Sequence, residues 1–143
     1  MKLKKLSTRR QKCLISNPTD IAWMNLECRY KLPEEFIDHW VDRLDFDDLV
    51  LHQQLSERFM NHWADKLDWT LVSEYQRLSE EFINHWATRL NWGHLCVYQR
   101  LSAQLILQHL DKVDWYIIEE YYPQVYQTYN LRLFQTLTGH RYG

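Results

Sequence analysis

The chain has 143 residues, a formal charge of −2, 45% apolar and 25% charged residues, ordinary values for a globular chain of one domain or two very small ones. Only 3 Gly and 3 Pro occur, too few for a turn-rich β-sandwich or barrel, a collagen-like sequence or a disordered linker. The near-neutral charge excludes a polyanionic DNA mimic and a uniformly basic nucleic-acid binder, and aromatic residues at 15% supply material for a core.

Residues 1–17 form a basic N-terminal segment that carries Lys2, Lys4, Lys5, Arg9, Arg10 and Lys12 and no acid before residue 13. Two readings apply to it. One is a frayed tail lying near an acidic body; the other is an arm that touches nucleic acid or an acidic partner. No apolar run long enough for a secretory signal follows, and none is long enough to span a membrane. The three cysteines, Cys13, Cys28 and Cys96, are odd in number and show neither CxxC nor zinc-ligand spacing. They read as reduced thiols of an intracellular protein, used as small apolar fillers.

Residues 18–123 are organised by a repeat. Leu32, Leu55, Leu78 and Leu101 open similar blocks of 23 residues, 32–54, 55–77, 78–100 and 101–123, which align without a gap. Such a period predicts a stacked array. Before it, Asn17-Pro18-Thr19-Asp20 signals a turn. Ile21, Trp23 and Leu26 then resemble the second half of a degraded repeat, since Trp23 precedes Phe46 by 23 residues.

Each block has two halves. The first predicts an amphipathic helix starting near Leu32/Pro33, Ser56, Ser79 and Ser102. Its apolar arc comprises Phe36, Phe59, Phe82 and Leu105; Ile37, Met60, Ile83 and Ile106; Trp40, Trp63, Trp86 and His109; and Leu44, Leu67, Leu90 and Val113. Glu34, Glu57 and Glu80 suit the positive end of the helix dipole. The second half starts at Asp45, Asp68, Asn91 and Asp114, which are good N-caps. Each is followed by an aromatic, Phe46, Trp69, Trp92 or Trp115, predicting a short inward-facing helix in each block. Residues 124–143 give a capping helix over 124–137, with Leu131, Phe134 and Leu137 on one side, and a tail after Gly139. The expected fold is all-α: four two-helix repeats, a partial N-terminal unit and a C-terminal capping helix.

The run LSEEFI…HW…RLNW…YQRLS resembles the short-helix repeat proteins of bacteriophages and large DNA viruses, over residues 32–122 well and 18–31 weakly. Where that pattern often has His, this chain has Trp40, Trp63 and Trp86, and only His109 keeps it. The resemblance implies a phage or viral origin, a cytoplasmic location in the host cell and a host or viral protein as partner, a defence factor among the candidates. That functional step is an analogy from fold.

No catalytic motif is present: no GxGxxG, P-loop, GxSxG or HExxH. A non-catalytic protein-binding module is therefore expected, with no cofactor and no metal site. A nucleic-acid accessory protein using the basic segment is the alternative. The His39, His62 and His85 column lies at the polar edge of the first helices. It reads as a solvated position first, as a partner-binding stripe second, and as a metal site last, because packed helices stand ~8–10 Å apart. The Trp40, Trp63 and Trp86 column reads as core. Gln53, Gln76 and Gln99 read as amides that bond loop main chain. The outer side of the second helices offers Leu51, Val97 and Tyr116 as partner-binding candidates. Tyr116 is the clearest departure, standing where other blocks have Asp47, Thr70 and Gly93. Its bland alternative is packing on Tyr126 or Phe134 of the capping helix.

Overall fold

Helices of six or seven residues dominate the chain, and nearly all begin at a side chain that accepts a main-chain N–H. The computed structural model describes residues 3–16, 23 and 25–138, and among these the fold is all-α apart from one pair of two-residue strands. Lys2, the turn at residues 17–20, Ile21 and Gly139 lie outside the described residues, as do the side chains of Phe134 and Leu137. The chain divides into two units, residues 1–78 and 79–143.

In the first unit, β1 (Lys4–Lys5) pairs in parallel with β2 (Tyr30–Lys31), placing Lys4 opposite Tyr30 and Lys5 opposite Lys31. The Leu6 N–H extends the ladder to the Lys31 carbonyl at 2.9 Å, and the Leu6 side chain is buried. Helix α1 (Thr8–Ser16) follows; the Ser7 hydroxyl accepts from the Arg10 N–H, and Leu14 is its buried residue. The segment from Lys4 to Ser16 is thus docked by a strand and two leucines, which corrects the frayed-tail reading. Helix α2 (Leu26–Arg29) starts after Asn25, whose φ of 55° lies in the left-handed region that Asn tolerates. Trp23 is buried and stacks on Phe36 at 5.7 Å.

The two blocks of this unit each hold two short helices: α3 (Glu34–Trp40) and α4 (Phe46–His52), then α5 (Glu57–His62) and α6 (Trp69–Tyr75). In the second unit the pairs are α7 (Glu80–His85) and α8 (Trp92–Tyr98), then α9 (Ala103–Gln108) and α10 (Trp115–Tyr121), followed by α11 (Pro123–Thr138). The caps fall at the expected residues. Ser56, Ser79 and Ser102 accept from Phe59, Phe82 and Leu105 N–H groups. Asp45, Asp68, Asn91 and Asp114 cap the second helices.

The first helices end sooner than a continuous wheel requires. α3 stops at Trp40 and gives way to a 3₁₀ turn at Val41–Arg43; α5 stops at His62 before another at Ala64–Lys66. Leu44 and Leu67 are extended, with ψ of 149° and 140°, yet buried. The tighter turn inserts Val41 and Ala64 into the core and brings the following leucine inward without helical geometry.

Side chains reach back by about one block. The Gln53 amide takes the Leu32 N–H at 2.9 Å and donates to the Glu27 and Tyr30 carbonyls. Gln76 likewise takes the Leu55 N–H and donates to Val50 and Gln53 carbonyls. In the last block Tyr122 occupies this position, and its hydroxyl accepts from Leu101 N–H at 3.3 Å and donates to the Gln99 carbonyl at 2.9 Å. Main-chain groups that helix termini leave unpaired are thereby satisfied inside the protein. Glu34 adds a second link, accepting from the Ser56 hydroxyl and from Arg58.

Candidate functional site

The histidine column is solvated. His39, His62 and His85 are exposed, and each ring stands edge-on to the next residue, Trp40, Trp63 or Trp86, at 4.8, 4.8 and 4.9 Å. Those tryptophans are half-buried, where the core reading expected full enclosure. Their inner faces meet the aromatic of the preceding second half: Trp40 lies 5.4 Å from Trp23, and Trp63 lies 5.9 Å from Phe46. In the second unit His109 takes the tryptophan's place, 4.6 Å from Trp92.

The second helices bury their caps' neighbours. Trp69 and Trp92 are buried and donate their indole N–H to Ala64 and Ala87 carbonyls, at 3.0 and 2.9 Å. Trp115 is only half-buried, its ring lying 4.7 Å from Tyr129 and 6.4 Å from Tyr126 of α11. The capping contact therefore belongs to Trp115 and not to Tyr116. Tyr116 is 84% exposed, its N–H held by the Asp114 carboxylate. Leu51 and Val97 are half-buried; they follow the buried pairs Leu49–Val50 and Leu95–Cys96 on helices covered on more than one side. Leu131, expected on the packed side of the last helix, is exposed.

A second group of surface aromatics was not singled out from the sequence. Tyr75, Tyr98 and Tyr121 share one repeat position and are about half exposed. They recur three residues after the buried Val72, Leu95 and Ile118, a spacing that does not show how much of each ring faces solvent. α8 and α10 pack on one another, so Tyr98 and Tyr121 occupy matching places on adjacent helices.

The basic residues of the N-terminal segment sit on ordered backbone. Lys4, Lys5, Arg9, Arg10 and Lys12 are all exposed. The Arg10 and Arg29 guanidinium groups lie 4.9 and 5.5 Å from the Tyr30 ring centre.

The cysteines differ in environment. Cys96 is a buried filler, as expected, with its thiol pushed up to about 11, chiefly by burial. Cys13 is exposed, and Cys28 is half-buried, so the filler reading holds for one of the three. Cys28 faces the side of α4 that carries Asp48 and His52; one ligand atom from each of the three lies within 4.8 Å of the others. Burial, then the charges of Asp48 and Glu27, push the Cys28 thiol upward. Beside it Glu27 is buried, its carboxyl raised chiefly by desolvation and held by the Asp45 N–H at 2.6 Å. This cluster joins residues 20 and 4 apart in sequence, a spacing that matches no metal motif, so sequence pattern did not reveal it.

No helix among the described residues is long and apolar enough to cross a membrane. Comparison with protein-family models, curated proteins and solved structures finds no match to the chain.

Proposed function

We propose that the protein is a non-catalytic protein-binding module whose contact surface is the outward side of α8 and α10. The observation that carries this reading is Tyr116, an aromatic 84% exposed on a helix whose fold does not need it there. Tyr98 and Tyr121, about half exposed at matching positions of the two helices, are further surface aromatics, although Tyr121 stands about 140° round the helix from Tyr116. Tyrosine brings apolar area and a hydroxyl at low entropic cost, which is why it recurs at interface hot spots. The resemblance of the repeat to those of phages and large DNA viruses makes a host protein, including a defence factor, the partner in this proposal, met in the host cytoplasm.

The test is affinity capture from host lysate with and without nuclease, repeated with Tyr116→Ala. Capture should survive nuclease. Tyr116→Ala should keep the melting temperature, since surface changes stay within about 0.5 kcal/mol. Affinity should fall by about 2 kcal/mol, or roughly 30-fold. A Tyr116→Ala protein that loses more than ~1.5 kcal/mol of stability, or that binds its partner unchanged, removes Tyr116 from the surface.

A second reading, a nucleic-acid accessory protein, draws support from the exposed Lys4, Lys5, Arg9, Arg10 and Lys12 on docked backbone. Its signature is affinity for nucleic acid that weakens with salt at a log–log slope of about −0.9 per phosphate neutralised.

A further inference from the structure

The first block departs from the others at positions that the array's packing does not explain. Asp48 stands where later blocks have Leu71, His94 and Ile117, and His52 stands where they have Tyr75, Tyr98 and Tyr121. Asp48 and His52 are four residues apart on α4, hence one turn apart on one side of the helix. Cys28, one block before Leu51, is brought against that side by α2.

The approach is fixed from both flanks of the cysteine. Gln53 donates to the Glu27 carbonyl at 2.6 Å and the Tyr30 carbonyl at 2.7 Å, while the buried Glu27 side chain takes the Asp45 N–H. Three main-chain or side-chain anchors thus hold the α2 segment on the start and end of α4. Cys28 and Asp48 are half-buried, and His52 is exposed. Such support is what a metal site requires of the residues behind its ligands.

We propose that Cys28, Asp48 and His52 form a three-ligand site for a zinc-class divalent ion, with a fourth position open to water. The donor set selects the metal. A thiolate and an imidazole together disfavour magnesium and calcium, which take oxygen donors, and suit zinc, which accepts sulfur, nitrogen and carboxylate oxygen alike. Bonds of about 2.0–2.3 Å in a tetrahedron place ligand atoms roughly 3.3–3.8 Å apart. The three atoms already lie within 4.8 Å of one another, so closure shortens their separations by no more than about 1.5 Å. Binding exchanges the Cys28 thiol proton for the ion. Glu27, Asp45 and Asp47 neighbour the site in sequence, as does the basic Arg29. The site goes beyond the protein-binding proposal and does not depend on it.

The experiment is titration of the full chain with cobalt(II), then displacement by zinc. The Cys13→Ser background removes the exposed thiol. One equivalent of cobalt should give a thiolate-to-cobalt charge-transfer band and intense visible bands of a four-coordinate ion, both abolished by zinc. Cys28→Ser should lose the charge-transfer band. Asp48→Asn and His52→Ala should weaken binding at least by the ~10–100-fold that loss of an outer-shell partner costs. Far-UV circular dichroism checks each variant; if Cys28→Ser does not fold, His52→Ala, altered at an exposed residue, decides alone. The proposal is overturned if no band saturates at one equivalent, if the band survives Cys28→Ser, or if a folded His52→Ala binds cobalt as the parent does.

Discussion

Gln76 is 1% exposed and its amide bonds main chain one block back: the carbonyl takes the Leu55 N–H, and the NH₂ donates to the Val50 and Gln53 carbonyls, while the Gln54 amide adds a longer bond to the same carbonyl at 3.3 Å. Few side chains of this size supply one acceptor and two donors together. Gln76→Ala leaves three buried groups without partners, at about 1–3 kcal/mol each, and should cost more than ~3 kcal/mol in urea unfolding. Gln76→Glu tests the chemistry at constant volume. A carboxylate facing two carbonyls is disfavoured, so its folded-state pKa rises above the unfolded value. Its destabilisation should be smallest below the unfolded carboxyl pKa and grow as pH rises through the folded one. A Gln76→Glu protein as stable as wild type at pH 8 would show that the donors are not needed. The structural role of this column was legible in the sequence, because a polar residue at a fixed place in every block must satisfy a fixed demand. Its direction was not. The amide reads as bonding loop main chain, with no sign of which loop, and Gln53 and Gln76 bond the segment one block before. Tyr122, whose hydroxyl meets two of these three needs, carried no sign of the equivalence beyond its register.

At the scale of the element, beginnings were legible and ends were not. A helix start is decided by one side chain bonding an N–H two or three residues on, so Ser56 or Asp68 announces it locally. The end of α3 depends on the change to 3₁₀ winding after Trp40, and a wheel drawn at 3.6 residues per turn is blind to it. Leu44 reaches the core by either path, so its apolar character could not distinguish them. The β1–β2 pairing was equally silent, since two residues show no period. Helices of seven residues hold only through tertiary contacts, and Trp92 concentrates those of α8: a buried ring, an N–H on the Ala87 carbonyl, and a tilted ring contact with His109 at 4.6 Å. Trp92→Ala should lose ~3–5 kcal/mol, against the 5–15 that hold a typical domain. The variant should be largely unfolded or insoluble; an unchanged melting temperature would mean that α8 is held by something else.

Across the whole molecule, the basic N-terminal segment is scaffold as well as charge. Leu6 and Leu14 are buried, and Lys4–Lys5 completes a ladder with Tyr30–Lys31. Deleting residues 1–12 should therefore lower the melting temperature, with loss of Leu6 alone worth about 2–5 kcal/mol. Changing Lys4, Lys5, Arg9 and Lys12 together to Gln should not, because all four are exposed. Calorimetry of the two variants separates the roles, and equal losses from both would contradict the docking of Leu6. The reach-back bonds have a further consequence, in time. Those described above span 18 to 26 residues, from Asp45–Glu27 to Gln53–Glu27 and Gln76–Val50. None waits for a distant part of the chain. As the polypeptide leaves the ribosome at about 5–20 residues per second, each of these anchors follows the groups it bonds by roughly 1–5 s. In the second unit Tyr122, at the join to α11, closes such a link on Leu101 and Gln99 only when the last block has been made.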